Sequence, residues 1–212
     1  MSKASILNSD AIKVVFFDLG SVLVNIHLDV FVSKISQATH TDPRLIFAWM
    51  EANRDFYQKF ERGLIDTEEF FRKVNDQFDS NLDEQFFKEA YVKIFSLNDP
   101  VVEIARQISS ARVISIISNT DELHFGYLMR AFPVLQMFQS PTTSFETHSL
   151  KPEKEIYLHA LHTLNVHPER SLFIDDLAEN VKGARAVGMQ ALLFEGAEKL
   201  TQQLTKYGIL GG

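Results

Sequence analysis

Five of the six residues at 12–17 are apolar, and the run ends in Asp18-Leu19-Gly20-Ser21. A continuous apolar run bounded by turn residues predicts a strand buried on both faces. Residues 112–117, 171–174 and 190–194 repeat the form; the first of these ends in Ser118-Asn119-Thr120 and the second in Asp175-Asp176. A short strand is also predicted within 137–144, before a polar loop at 145–149. Between the runs, spacing changes to the helical period over 100–109, 121–132, 153–164 and 178–187, with Pro133 and Gly188 as stops. The remainder after 194 is predicted helical. Strands alternating with helices imply an α/β fold, a Rossmann-like parallel sheet with right-handed crossovers.

One segment departs from this rhythm. From 26 to 97 the pattern predicts four helices and no strand. The first covers 27–38. The second opens at Asp42, with Pro43 at its first helical position, and ends at Gly63. The third starts at Asp66, with Glu68 and Glu69 in its first turn, and the fourth at Asp83. Ten of the 18 phenylalanines lie here, enough for a separate core, and at helical spacing they read as packing residues. An ordinary crossover needs about 30 residues, yet Asp18 and Ser118 lie 100 apart. Residues 26–97 therefore read as a four-helix insertion over the carboxyl edge of a sheet built from 1–25 and 98–212.

Composition narrows the function. A net charge of −7 and a pI near 5.5 argue against nucleic acid as partner. No apolar run reaches the roughly 18 residues of a membrane span, and the polar start, 1–10, has no leader-like apolar stretch. The chain has no cysteine, which excludes disulfides, thiolate catalysis and Cys-based zinc sites and fits a cytoplasmic setting.

Asp18, Ser118, Lys151 and the Asp175-Asp176 pair fall at or just beyond predicted strand ends, where open α/β sheets bind ligands. Taken singly, each has an ordinary explanation as a helix N-cap or a solvated charge. Together, two or three carboxylates at one edge repel one another unless a cation lies between them. Oxygen ligands of this kind suit Mg²⁺ shared with a substrate phosphate. Ser118 offers a hydroxyl and Lys151 a point charge for phosphoryl oxygens. The combination suits phosphoryl transfer through an aspartyl-phosphate.

The stretches Phe17-Asp18-Leu19-Gly20-Ser21-Val22, Ser118-Asn119-Thr120, Lys151-Pro152 and Phe173-Ile174-Asp175-Asp176 resemble the four ordered motifs of the haloacid dehalogenase superfamily. Asn180, Gly183, Ala184 and Gly188 continue the fourth, and 26–97 resembles the helical cap of that family. Asp18-Leu19-Gly20, with Glu61-Arg62-Gly63, is most similar to its α-D-glucose-1-phosphatase-like branch. The resemblance implies Asp18 as nucleophile and metal ligand, with the Gly20 carbonyl and Asp176 as further ligands. Asp175 would hold metal-bound water or orient Lys151, and Ser118, Asn119 and Lys151 would bind the phosphoryl group. The activity implied is hydrolysis of a small phosphorylated metabolite, a sugar 1-phosphate being the member suggested by the branch.

Gly20 is the departure, because most phosphatases of the family carry a second Asp there as general acid and base. Its absence predicts a preference for acidic leaving groups. A 2-haloacid dehalogenase, which also lacks that Asp but needs no metal, and an inactive phosphate-binding protein are the alternatives. His148 is a candidate to approach the site; His159 and His162 read as surface or core residues. Asn25, His27 and Arg62 are candidates for specificity.

Overall fold

The computed structural model describes residues 11–78 and 81–211; the polar start at 1–10 lies outside them. In chain order the elements are β1 (Val14–Phe17), β2 (Val24–Ile26), α1 (Leu28–Thr39), α2 (Pro43–Ala52), α3 (Arg54–Glu61), α4 (Thr67–Gln77), α5 (Glu84–Val92) and β3 (Phe95–Leu97). They continue with α6 (Asp99–Ser109), β4 (Val113–Ser118), α7 (Glu122–Ala131), β5 (Thr142–Thr143), α8 (Ser144–Thr147) and α9 (Lys154–Thr163). β6 (Ser171–Asp175), α10 (Ala178–Ala186), β7 (Gln190–Leu193) and α11 (Ala197–Lys206) complete the order.

Five parallel strands form one sheet in the order β5-β4-β1-β6-β7. β1 is central and buried throughout because each of its faces meets a different core. Val15 and Phe17 pack with residues of α6 and α11, such as Ile108 and Leu204. Val14 and Phe16 pack with residues of α9 and α10, such as Tyr157 and Val181. This is the two-layer burial that an unbroken apolar run requires. Strand order reverses at β1, which has β4 on one side and β6 on the other, so a crevice opens at its carboxyl end.

The inserted segment differs from the sequence expectation in two ways. It contains five helices among the described residues, not four. The stretch from Asp42 to Gly63 divides at Asn53, whose side-chain amide donates to the Trp49 carbonyl (2.8 Å) and closes α2 before α3 begins. The apolar spacing continues across the break, so periodicity alone could not locate it. Two short strands are also present. β2 and β3 pair antiparallel, joining the two chain crossings, and three residues each are too few to show alternation. Residues 145–147, read as loop, complete with Ser144 the single turn α8.

The phenylalanines of the insertion do form a core of its own. Phe31, Phe60, Phe70 and Phe87 are buried with Ile46 and Trp49, and Phe60 stacks on Phe70 with ring centroids 4.2 Å apart. Phe47 and Phe86 remain exposed.

Candidate active site

Register places the chemistry. Phe17 of β1 pairs with Ile116 of β4 and with Ile174 of β6, so the strand ends lie level. Asp18 follows directly, its backbone N–H donating to the Ile174 carbonyl at 2.8 Å. Ser118 and Asp175 are the last residues of the two flanking strands. Three residues far apart in sequence thus converge because three apolar runs stop at the same level.

Lys151 enters from the segment before α9 and is buried between two carboxylates. Its Nζ lies 2.6 Å from Asp18 Oδ1 and 2.8 Å from Asp175 Oδ2. Asn119 sets its position: the carboxamide oxygen accepts from the Lys151 backbone N–H (2.8 Å) and the amide donates to the Lys151 carbonyl (3.1 Å). The Asn119 side chain is therefore engaged in placing Lys151. Asp175 Oδ1 accepts from the Leu177 backbone N–H (2.8 Å), and the Asn180 amide donates to both carboxylate oxygens at 3.1 and 3.2 Å. These contacts fix the Asp175 carboxylate against Lys151. Asp18 Oδ1 also accepts from the Leu19 N–H at 2.7 Å.

Electrostatics follow from burial and proximity. Burial, reinforced by the Asp175 charge, pushes the Asp18 carboxyl up to about 7 against the pull of Lys151. Burial opposes the Lys151 ammonium, yet Asp18 and Asp175 outweigh it and hold its pKa above the ordinary value. Asp176 is raised, by burial first and then by Asp175. One ammonium facing three carboxylates leaves an excess of negative charge.

Asp18, Asp175 and Asp176 each offer an oxygen within 4.8 Å of the others, and they are the one such cluster among the described residues. Three hard oxygen donors with uncompensated charge suit a divalent cation of the Mg²⁺ type. The Gly20 carbonyl lies two residues beyond Asp18, in the turn that closes with the Leu23 and Val24 N–H groups donating to the Leu19 carbonyl.

A sequence profile described as hydrolase, haloacid dehalogenase-like hydrolase, matches residues 12–188. The chain belongs to that family. Flavin mononucleotide hydrolase 1 of Arabidopsis thaliana is 33% identical over 153 residues, 71% of this chain and 61% of its own. This chain thus spans about three fifths of that relative. D-ribitol-5-phosphate phosphatase of Bacteroides thetaiotaomicron is 22% identical over 207 residues, covering 92% of this chain and 97% of its own. A family enzyme from the same bacterium, solved with magnesium and inorganic phosphate, shares the fold with a TM-score of 0.76. The match covers 86% of this chain and 93% of that one at 22% identity. The fold and the family inferred from the four motifs both stand.

Beside Gly20 a cavity of about 200 Å³ lies between the sheet edge and the insertion. Ser118, Asn119 and Thr120 border it on the sheet side, with Tyr57, Glu61 and Tyr91 opposite. A Cβ at position 20 would come within 3.1 Å of Ile26 Cδ1, so an apolar side chain of β2 stands where a second carboxyl would extend.

Other sequence candidates lie outside this cavity. His27 Nε2 is 2.9 Å from Ser96 Oγ, and the Asn25 amide donates to Ser96 Oγ and the Leu97 carbonyl, each at 3.3 Å. His148 Nδ1 lies 2.7 Å from the Arg62 carbonyl, while Arg62 forms a bidentate pair with Glu153 at 2.5 and 2.8 Å. Asn25 and His27 hold the two crossings of the β2–β3 ribbon together, and Arg62 and His148 bind the insertion to the sheet domain. His159 and His162 are exposed on α9.

Sequence reasoning missed a polar cluster on the cavity wall. Asp121 accepts from the Tyr91 hydroxyl (3.0 Å) and from the His124 backbone N–H (2.9 Å), and its carboxylate lies 2.8 Å from His124 Nδ1. Asp121 had a visible signal as the N-cap of α7. Its link to Tyr91 of α5 had none, because it depends on how the insertion docks.

Proposed function

We propose that this chain is a Mg²⁺-dependent phosphatase that hydrolyses a small phosphorylated metabolite through an aspartyl-phosphate on Asp18. The observation that carries the reading is the placement of the Asp18 carboxylate, 2.6 Å from the Lys151 ammonium and within 4.8 Å of Asp176, at the switch point of the sheet. The nucleophile, the cation for phosphoryl oxygens and the metal donors share one locus. Asp18, the Gly20 carbonyl and Asp176 would hold Mg²⁺, which when bound supplies positive charge against the phosphoryl oxygens. Ser118 and the backbone beside Asn119 would meet those oxygens, with Lys151 as a fixed charge. Asp175 and Asn119 keep Lys151 aimed at Asp18. The phosphatase names of the Arabidopsis and full-length Bacteroides relatives support this class of reaction.

Residues 26–97 act as a cap in this reading, over a core of 1–25 and 98–212, and the cavity between them receives the leaving group. Its wall is mostly apolar and aromatic, and the buried Tyr57 hydroxyl on it has no hydrogen-bond partner among the described residues. A monosaccharide has apolar faces to lie against aromatic rings and hydroxyls to meet Tyr57. A sugar 1-phosphate, the substrate suggested by the α-D-glucose-1-phosphatase-like motifs, is therefore the member of the class we place first. The metal-free dehalogenase reading leaves three clustered carboxylates facing one lysine, and the inactive reading leaves a nucleophile and its cation paired without purpose.

Hydrolysis of an aryl phosphate with Mg²⁺ and with chelator tests the proposal. Turnover that requires Mg²⁺ is the expected result. Halide release from a 2-haloacid without any phosphatase activity would reject it.

A further inference from the structure

Gly20 leaves Asp18 without the neighbouring carboxyl that would carry a proton, yet the adjoining cavity holds a carboxyl from another element. Glu61 is the last residue of α3, and its surroundings fix it over the sheet edge. The Ser144 hydroxyl donates to the Glu61 carbonyl at 2.6 Å, and Ser144 also accepts from the Thr120 N–H at 2.9 Å. The next residue, Arg62, is clasped by Glu153 and donates to the His148 carbonyl at 3.1 Å. Gly63 then turns the chain at φ +62°, where a Cβ would meet the Phe145 carbonyl oxygen at 2.8 Å. Glu61 borders the same cavity as Gly20, Ser118 and Asn119.

We propose that Glu61 is the proton carrier of this enzyme, donating to the leaving oxygen when Asp18 attacks phosphorus, which removes the preference for acidic leaving groups expected from Gly20 alone. The inference rests on the phosphatase reading above. In the first step the Asp18–phosphorus bond forms and the phosphorus–oxygen bond to the leaving group breaks. Its electron pair takes the Glu61 proton, releasing an alcohol and leaving Glu61 as carboxylate. In the second step Glu61 accepts a proton from water as that water attacks the aspartyl-phosphate. Asp18 and inorganic phosphate are released, and Glu61 is again protonated.

The charge environment agrees with the role. Asp121 at the start of α7, His124 on α7, Lys151 before α9 and the adjacent Arg62 all act on Glu61. Burial dominates and Asp121 adds to it, so the carboxyl is pushed up to about 7 despite the three cations. A group with that value gives and takes protons near neutral pH. The other candidates are occupied. Both ring nitrogens of His124 are engaged, Nδ1 by Asp121 and Nε2 by the Tyr91 carbonyl at 3.0 Å, and His148 Nδ1 is at Arg62.

The test compares wild type, Glu61→Gln and Glu61→Asp in a series of alkyl and aryl phosphates with Mg²⁺ from pH 5 to 9, with circular dichroism to confirm folding. General acid help is worth about 10²–10⁴-fold and matters most for poor leaving groups. Glu61→Gln should lose activity of that order on alkyl phosphates and at least tenfold less on p-nitrophenyl phosphate. Wild-type kcat/KM on alkyl phosphates should fall above about pH 7, a limb absent from Glu61→Gln and kept by Glu61→Asp. Equal losses on both substrate types, or an alkaline limb that persists in Glu61→Gln, would overturn the assignment. If Glu61→Gln does not fold, a missing alkaline limb in Glu61→Asp would overturn it instead. Wild-type protein inactive on every phosphate ester would overturn the phosphatase reading, and the Glu61 role with it. An active wild type with an unaltered Glu61→Gln would overturn the Glu61 role alone.

Discussion

Lys151 shares its charge between Asp18 and Asp175, and this makes Asp18→Asn an informative substitution. Removing one partner of a buried ion pair usually destabilises by about 3–5 kcal/mol, but here Lys151 keeps Asp175 at 2.8 Å and the repulsion between Asp18 and Asp175 is relieved. The variant should stay folded, with turnover abolished and Mg²⁺ affinity reduced in calorimetric titration. Asp176→Ala should raise the Mg²⁺ requirement of the reaction; an unchanged requirement would move the ligand assignment elsewhere. The Asp121–His124 pair predicts a pH signature of stability. Burial opposes both charges, yet each partner overcomes it for the other, so Asp121 is lowered and His124 raised. A raised His contributes fully below its unfolded value of about 6.5 and loses that contribution as pH rises through the folded value. A lowered Asp contributes above its unfolded value of about 3.9 and loses it as pH falls through the folded value. The stability difference between wild type and His124→Gln in urea titrations should be largest from about pH 4 to 6.5 and shrink towards pH 9. A difference that is flat with pH would mean that the pair is not ionised as described.

Between elements, α10 approaches the segment that carries Lys151 closely enough to exclude any side chain. A Cβ at Gly183 would meet the Pro152 carbonyl oxygen at 2.8 Å, so either α10 or the Lys151-Pro152 segment must shift in Gly183→Ala. Overpacking of this kind costs roughly 1–3 kcal/mol. The predicted outcome is a lower urea midpoint together with a fall in kcat, because a Lys151 ammonium displaced from Asp18 no longer meets the phosphoryl group. Normal kcat in a folded Gly183→Ala would show that the fit is not needed to aim Lys151. Sequence spacing marked Gly183 through the fourth motif, but not its physical reason, since Pro152 lies 31 residues away. The division of α2 from α3 was hidden for a similar reason: Asn53 ends one helix through a local side-chain bond without interrupting the apolar spacing.

Across the whole molecule, two crossings at the β2–β3 ribbon tether the inserted helices, and the Glu61–Arg62 end of α3 is clasped to Ser144, His148 and Glu153. The two-crossing tether lets the inserted helices hinge, and we expect this clasp to open in the free protein and to close over a bound phosphoryl group, which would exclude water from the cavity. Small-angle scattering should show compaction when beryllium fluoride and Mg²⁺ are added; identical curves would mean that the insertion does not move. The sequence by itself determined the fold class, the buried β1 strand and the group of residues at the strand ends. Each of these depends on local apolar runs and on the residues that stop them, and such signals are contiguous along the chain. Only the tertiary structure decided that Asn119 serves Lys151, that Ile26 stands beside Gly20, and that Glu61, Tyr57 and the Asp121–His124 pair line one cavity. Those relations join separate elements through docking of the insertion onto the sheet, and pair distances across that interface leave no periodic trace in the chain.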